Sequence, residues 1–377
     1  MDLTTLAATL LLALGLLGAN AVIHANSIIV EVAAPPKTDK VTIDQTTLEQ
    51  EFQEQVFSIA KVTSVVLPPE IHASNNQGIG MALAKEANLE NVAYALQSEL
   101  GYNPDKLRFA LYLENGSLRG LVSGSGHNVG SFRQVLVPQQ DETVLAFVRR
   151  GALWGASQLA PYVTALYLVQ LHAPDKDFTD VVALIEQAKN RLPPAPINFD
   201  RSAFDNLLGI IALFRNDPKA AAPLFEQAIT EYPPGSVAVL NAAFTDLQLD
   251  RNQSAADRME ALVRQAPPDN RVLLSTAYVT WGAAEMARHD YKRADQLLAQ
   301  SVQINPDSTT ALDLWAELKD LMGDKAAATE LRQRTLQSSE TFENYGEVAT
   351  LYFHLSWQDN QPVTRSKFSN PAVVTFH

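Results

Sequence analysis

One pattern recurs through the second half of this chain and limits its fold more than any other feature. Ala221, Phe225, Ala228 and Pro233 stand at intervals of 4, 3 and 5. Ala255, Met259, Leu262 and Pro267 repeat those intervals one period later. Ala294, Leu298, Ser301 and Pro306 repeat them again after a slightly longer step. Ala328, Arg332 and Thr335 follow after the shorter step, without the proline. Upstream, Val181, Ile185, Ala188 and Pro193 fit the same frame, a longer step before Ala221. A companion series agrees: Leu208-Gly209, Trp281-Gly282 and Trp315-Ala316 each begin at one fixed distance before the alanine of their set. Polar turns lie between the two series, at Asn216-Asp217, Asn252-Gln253, His289-Asp290 and Gly323-Asp324. A period of about 34 residues means one supersecondary unit stacked on itself. Small residues at fixed offsets let two helices approach, the large residue four places on fills the contact, and proline ends the second helix. One such pair cannot bury its apolar face alone, so the pairs must stack.

This arrangement resembles the tetratricopeptide repeat (TPR) family. Five repeats are expected, at about Tyr162–Ala195, Ser202–Gly235, Ser236–Asp269, Ser275–Ser308 and Thr309–Phe342, with a capping helix over Asn344 to Trp357. The fold expected is an α+β N-terminal domain followed by an all-α, TPR-like helical solenoid, with a transmembrane or signal helix at the N-terminus. The division expected is an anchor or signal peptide over 1–27, a linker over 28–43, the α+β domain over 44–155, the solenoid over 162–357 and a tail over 358–377. The resemblance implies a concave groove lined by the first helix of each pair. Carried over position by position, a peptide-binding groove receives Asn206, Ile210, Leu213, Leu240, Asn241, Phe244, Leu247, Val279, Ala283 and Met286, with Asp313, Glu317 and Asp320 at an acidic far end. Some family members clamp a partner's terminal carboxylate with lysines and asparagines. Asn206 and Asn241 sit near the asparagine positions, but no lysine lies between Lys219 and Lys292. An apolar groove suits an amphipathic helix or an extended apolar peptide better. These positions can equally pack between neighbouring first helices or lie under the chain's own first domain.

At the other end, Leu3 to Ile23 carries no charge. Its length suits the roughly 30 Å of a bilayer core. Two export readings stand: a single-pass N-terminal membrane anchor with the body periplasmic, or a signal peptide cleaved at about Ala21 after Ala19-Asn20-Ala21. A buried helix is the third. No basic residue precedes Lys37, so charge bias does not set the orientation.

Between anchor and repeats the pattern is mixed. Ile28 to Val32 continues the anchor or forms a short strand, and Ala33 to Lys40 reads as a linker. Asp44 suits the N-cap of a helix ending near Val62, with Leu48, Phe52, Val56 and Ile59 on one face. A second amphipathic helix is expected over Asn88 to Leu100, stopped by Gly101. Alternating residues from Leu107 to Leu113 and from Ser117 to Val122 flank Asn115-Gly116, a strong hairpin signal. Further strands are expected at Phe132 to Val137 and Thr143 to Val148. Together these predict helices on a four-stranded antiparallel sheet. The tail ends Pro371-Ala372-Val373-Val374-Thr375-Phe376, suited to disorder or to a strand added at the sheet edge.

Nothing in the sequence assembles a catalytic centre. The chain has no cysteine, which removes disulfides and thiolate chemistry. Its 7 histidines include no pair at metal-ligand spacing. Gly124 to Gly130 is glycine-rich but lacks the lysine and following helix of a phosphate loop, and reads as a flexible connection between two hairpins. Ser125 and His127 have no placed acid. Asp175, Asp177 and Asp180 miss the calcium-loop pattern and read as turn and cap residues. A net charge of -13, without a dense basic run, argues against nucleic acid as a partner. The expected function is a non-catalytic, membrane-anchored TPR adaptor without cofactor or metal, binding a protein or peptide in the cell envelope. The alternatives are a subunit of an envelope secretion or polymer-export assembly, homo-oligomerising through the α+β domain, or an enzyme with its site near Gly124.

Overall fold

The computed structural model describes residues 28–34, 43–62, 105–126, 129–192, 197–233, 236–267 and 270–337. The anchor over 1–27, the helix over Asn88 to Leu100, the capping helix and the tail lie outside the described residues. Two compact units divide at Thr164–Ala165. No helix among the described residues is long and apolar enough to cross a membrane.

The first unit is built on a sheet of order β1-β2-β3-β4, with β1 at Ile28–Ala33, β2 at Asp105–Glu114, β3 at Ser117–Gly126 and β4 at Gly130–Leu136. Asn115 and Gly116 both take positive φ, as the expected hairpin turn requires. β2 and β3 pair antiparallel from Glu114↔Ser117 onward. The fourth strand differs from expectation. It is β1, the short strand that is one of the two readings of Ile28 to Val32 within the linker, and it runs parallel to β2, with Ile28 opposite Asp105. The sheet is therefore mixed rather than antiparallel. The other expected strand, Thr143 to Val148, is instead the start of helix α2, Val144–Leu159, the companion of α1, Gln45–Ala60. Thr143 caps α2, its side chain accepting from the Ala146 amide. Phe147, Gly151, Gly155 and Leu159 recur one helical turn apart, a ridge that the β-branched and aromatic residues at the start conceal.

That ridge explains the core of the first unit. Phe109 of β2 lies between Phe52 of α1, stacked at 5.5 Å, and Phe147 of α2, edge-on at 5.7 Å. Both helices thus cover the face bearing Leu107, Phe109, Leu111 and Val122, all buried. A side chain at Gly151 would stand 2.6 Å from the Phe109 ring, and one at Gly155 would stand 2.4 Å from Leu107. Their absence lets α2 lie flat on the strands.

Among the described residues, the helical series runs as five successive couples, of which the last four pack helix on helix. The five are α3 (Pro161–His172) with α4 (Thr179–Arg191), α5 (Phe199–Phe214) with α6 (Pro218–Glu231), α7 (Ser236–Gln248) with α8 (Asn252–Gln265), α9 (Arg271–Ala287) with α10 (Tyr291–Ile304), and α11 (Thr309–Leu321) with α12 (Lys325–Gln337). The recurring residues do what their spacing predicts. Ala221, Phe225 and Ala228 are buried, as are Ala255, Met259 and Leu262, and Ala294, Leu298 and Ser301. A Cβ on Gly209 would meet the Phe225 ring at 2.5 Å, and one on Gly282 would meet Leu298 at 2.8 Å. The small residue of the first helix is thus the socket for the large residue of the second.

Each turn inside a pair repeats one geometry. Lys176, Asn216, Asp250, His289 and Gly323 all take positive φ, between 59° and 82°. In the last four turns the next amide bonds a carbonyl in the last turn of the first helix, as from Asp217 to Ala212 and from Asp290 to Glu285, both at 2.9 Å. This is the Schellman closure. The aspartates that complete three of these turns then cap the second helix, Asp217 accepting from Ala220, Asp290 from Arg293 and Asp324 from Ala327.

Candidate functional site

The residues expected to line a groove lie on α5, α7 and α9. All the apolar and asparagine positions of the centre, Asn206, Ile210, Leu213, Leu240, Asn241, Phe244, Leu247, Val279 and Met286, are only 0–3% exposed. Ala283 is buried with them. Every side chain of α5 from Ser202 to Phe214 is buried, so that helix has no open face. The far end differs: Asp313 and Glu317 are half-buried and Asp320 is exposed. Asn241 Nδ2 donates to Asn206 Oδ1 at 2.8 Å, tying α7 to α5 inside the stack. The two asparagines thus satisfy one another rather than standing open for a carboxylate. A partner that reached these side chains would have to displace what now covers them.

A buried charge cluster sits at the junction of α4, α5 and α6. Lys189 Nζ bonds Asp205 Oδ1, and both side chains are buried. Asp205 Oδ2 and Glu231 Oε2 are buried with no hydrogen-bond partner among the described residues. Arg201 lies 3.5 Å from Glu231 and donates to the Lys189 carbonyl. Burial pushes the Asp205 carboxyl up to about 6; Lys189 opposes this, and the neighbouring Glu231 carboxyl adds to it. The sequence carries little warning of this cluster, because Lys189 and Asp205 lie on different helices and each sits in an ordinary amphipathic pattern.

Farther along, Asp246 of α7 accepts from Ser254 at 2.7 Å and from Arg258 at 2.9 Å, and Arg258 also reaches Glu226 on α6. Trp315 donates to Asp295 at 2.7 Å, with Lys319 beside the same carboxylate. These bonds cross from one helix pair to the next or join the two helices of one pair, so their effect is to hold the stack in register.

The other sequence candidates do not converge. No group of three or more His, Asp or Glu side chains among the described residues could hold a metal. Asp175 and Asp177 accept backbone amides at Asp177 and Thr179, as turn residues do. The Gly124–Gly130 stretch is not a connection between hairpins. Gly124 and Gly126 belong to β3 and Gly130 opens β4, so the stretch is itself a hairpin turn, with 127 and 128 outside the described residues. A Cβ at Gly124 would lie 2.4 Å from the Lys106 carbonyl and 2.5 Å from the Phe132 ring. Close strand packing accounts for that glycine without a phosphate.

Helix pairs with a glycine socket, a large plug and a Schellman turn define a helical-repeat class. The tetratricopeptide repeat model matches residues 213–276, from the end of α5 into α9. Over those residues the helical unit matches the tetratricopeptide repeat. No curated protein matches the chain in sequence. Among solved structures, PilF of Pseudomonas aeruginosa is 12% identical over 48% of this chain and 77% of its own, with a TM-score of 0.40. Two structures of MamA are 15% and 13% identical, over 44% and 47% of this chain and 91% and 90% of theirs, each with a TM-score of 0.35.

Proposed function

We propose that this chain is a non-catalytic adaptor that holds a protein or peptide on its helical unit. The single observation that carries this reading is the succession of paired helices, with Gly209 and Gly282 socketing Phe225 and Leu298, around a stretch that matches the tetratricopeptide repeat. A succession of this kind offers several equivalent sites along one extended partner segment. The finer reading is that the segment is apolar or amphipathic and sits against Ile210, Leu213, Leu240, Phe244, Leu247, Val279 and Met286, with Asn206 and Asn241 between. Its binding then includes an opening step, because these side chains are covered in the folded chain. The uncharged run Leu3 to Ile23 supports membrane anchoring of the adaptor, with its body outside the cytoplasm.

Site-specific cross-linking tests this. A photoreactive residue replaces Leu247 or Met286 in the full chain in its native membrane, and Leu336, which is exposed, serves as the control. The expected outcome is a discrete protein adduct from the two inner positions and none from Leu336. Equal adducts from all three positions, or none from the inner two, would sink the reading.

A further inference from the structure

The face of the sheet opposite α1 and α2 carries a pattern that no run of residues in the sequence reveals. Side chains alternate between faces along a strand, and residues paired across strands share a face. Glu31, Arg108, Ser123 and Arg133 stand opposite one another in register across β1, β2, β3 and β4. Arg108 and Arg133 therefore bracket Ser123 on the face away from Phe52 and Phe147. Both arginines are exposed. Neither has a hydrogen-bond or ion-pair partner among the described residues. Ser125 and Ser131 form part of the next row, and the rows together floor a shallow depression of about 620 Å³. On the other side of the arginine row lies an apolar row of Ala33, Ala110, Leu121 and Val135, the last 44% exposed.

We propose that this sheet face is a second binding surface, and that its occupant is an acidic peptide segment of a protein partner carrying apolar residues beside its carboxylates. Charge complementarity sets the sign of the ligand: Arg108 and Arg133, with Lys106 in the next row, outnumber Glu31, and the two guanidiniums, unpaired among the described residues, suit carboxylates. The apolar row sets the rest, since a bare phosphate chain leaves Leu121 and Val135 without a partner. The charge of the whole chain decides between a short acidic segment and an extended polyanion. At -13 it repels a nucleic acid or a broad anionic membrane, each of which brings many charges within a screening length. A short segment brings only a few. The proposal is independent of what the helical unit holds.

The test uses the full chain and a fluorescein-labelled peptide alternating glutamate and valine, read by anisotropy. Comparison probes are a glutamate–serine peptide, a lysine–valine peptide, a single-stranded oligonucleotide and phosphatidylglycerol vesicles. Each is measured on the wild type and on Arg108→Glu/Arg133→Glu, both exposed positions, with circular dichroism used to check that the variant folds. The expected result is binding of the glutamate–valine peptide that weakens with salt, weakens about tenfold in the double variant, and exceeds that of both other peptides. Absence of binding, binding indifferent to the two substitutions, or equal binding of the glutamate–serine peptide overturns the proposal. So does oligonucleotide or vesicle binding that is tighter than peptide binding and lost in the double variant.

Discussion

At the scale of single residues, the helical unit turns on what is missing from Gly209. Its α-carbon faces the Phe225 ring, and a methyl group there would stand 2.5 Å from ring carbons. Phe225 is fully buried, so it has nowhere to move. Gly209→Ala gains about 1 kcal/mol of helix propensity. It is still expected to destabilise the chain by about 1–3 kcal/mol through overpacking. Urea unfolding measures the balance, and a variant at least as stable as wild type contradicts the socket reading. This contact was legible in the sequence, because the interval from Leu208-Gly209 to the alanine series recurs. Lys189, Asp205 and Glu231 were not legible. Each stands at an ordinary helical position, and only the crossing of three helices brings the charges together. Arg108 and Arg133 were hidden for a related reason, since they lie on different strands and become neighbours only through the register of β2, β3 and β4.

At the scale of elements, the junction of α4, α5 and α6 should respond to pH in an unusual direction. The folded state holds Asp205 at about 6, above the roughly 3.9 of an exposed aspartate. Between those values the folded chain binds the proton more tightly than the unfolded one. The group's contribution to stability is therefore fully present below the lower value and is lost as pH rises through the higher one. For the wild type, this group favours the folded state more at about pH 5 than at about pH 7.5, and Asp205→Asn should shrink that difference. Chemical unfolding at the two pH values tests it; an unchanged difference places the response elsewhere. Elements also show where pattern reading fails. Helix α2 begins with β-branched and aromatic residues, and a short window cannot tell its start from a strand. Strand β1 lay in a stretch with no visible partner, because the strand it pairs with begins only at Asp105, beyond the whole of α1. The hairpin of β2 and β3 was readable because turn and pairing are local.

At the scale of the whole molecule, the helix pairs alternate in length. The first helices α5 and α9 have 16 and 17 residues, whereas α7 and α11 have 13 each. The two longer steps in the sequence pattern, from Val181 to Ala221 and from Ala255 to Ala294, each span one of these longer helices. The long pairs share details as well. Ser202 of α5 bonds the Ala228 carbonyl at 2.7 Å, and Ser275 of α9 faces Ser301 in the same place. The underlying unit is thus two pairs rather than one. Such a chain can be shortened or lengthened only in certain steps, as a ratchet moves only by whole teeth. Removing the span from Ser236 to Ser308 joins a long pair to a short one, as they meet now. Removing only Ser236 to Asp269 sets two long pairs side by side. The first deletion should keep a cooperative thermal transition, and the second, though it removes less than half as much chain, should not. If calorimetry finds the reverse, the tooth is one pair wide. If it does not, the unit grows two pairs at a time, each increment adding two first helices.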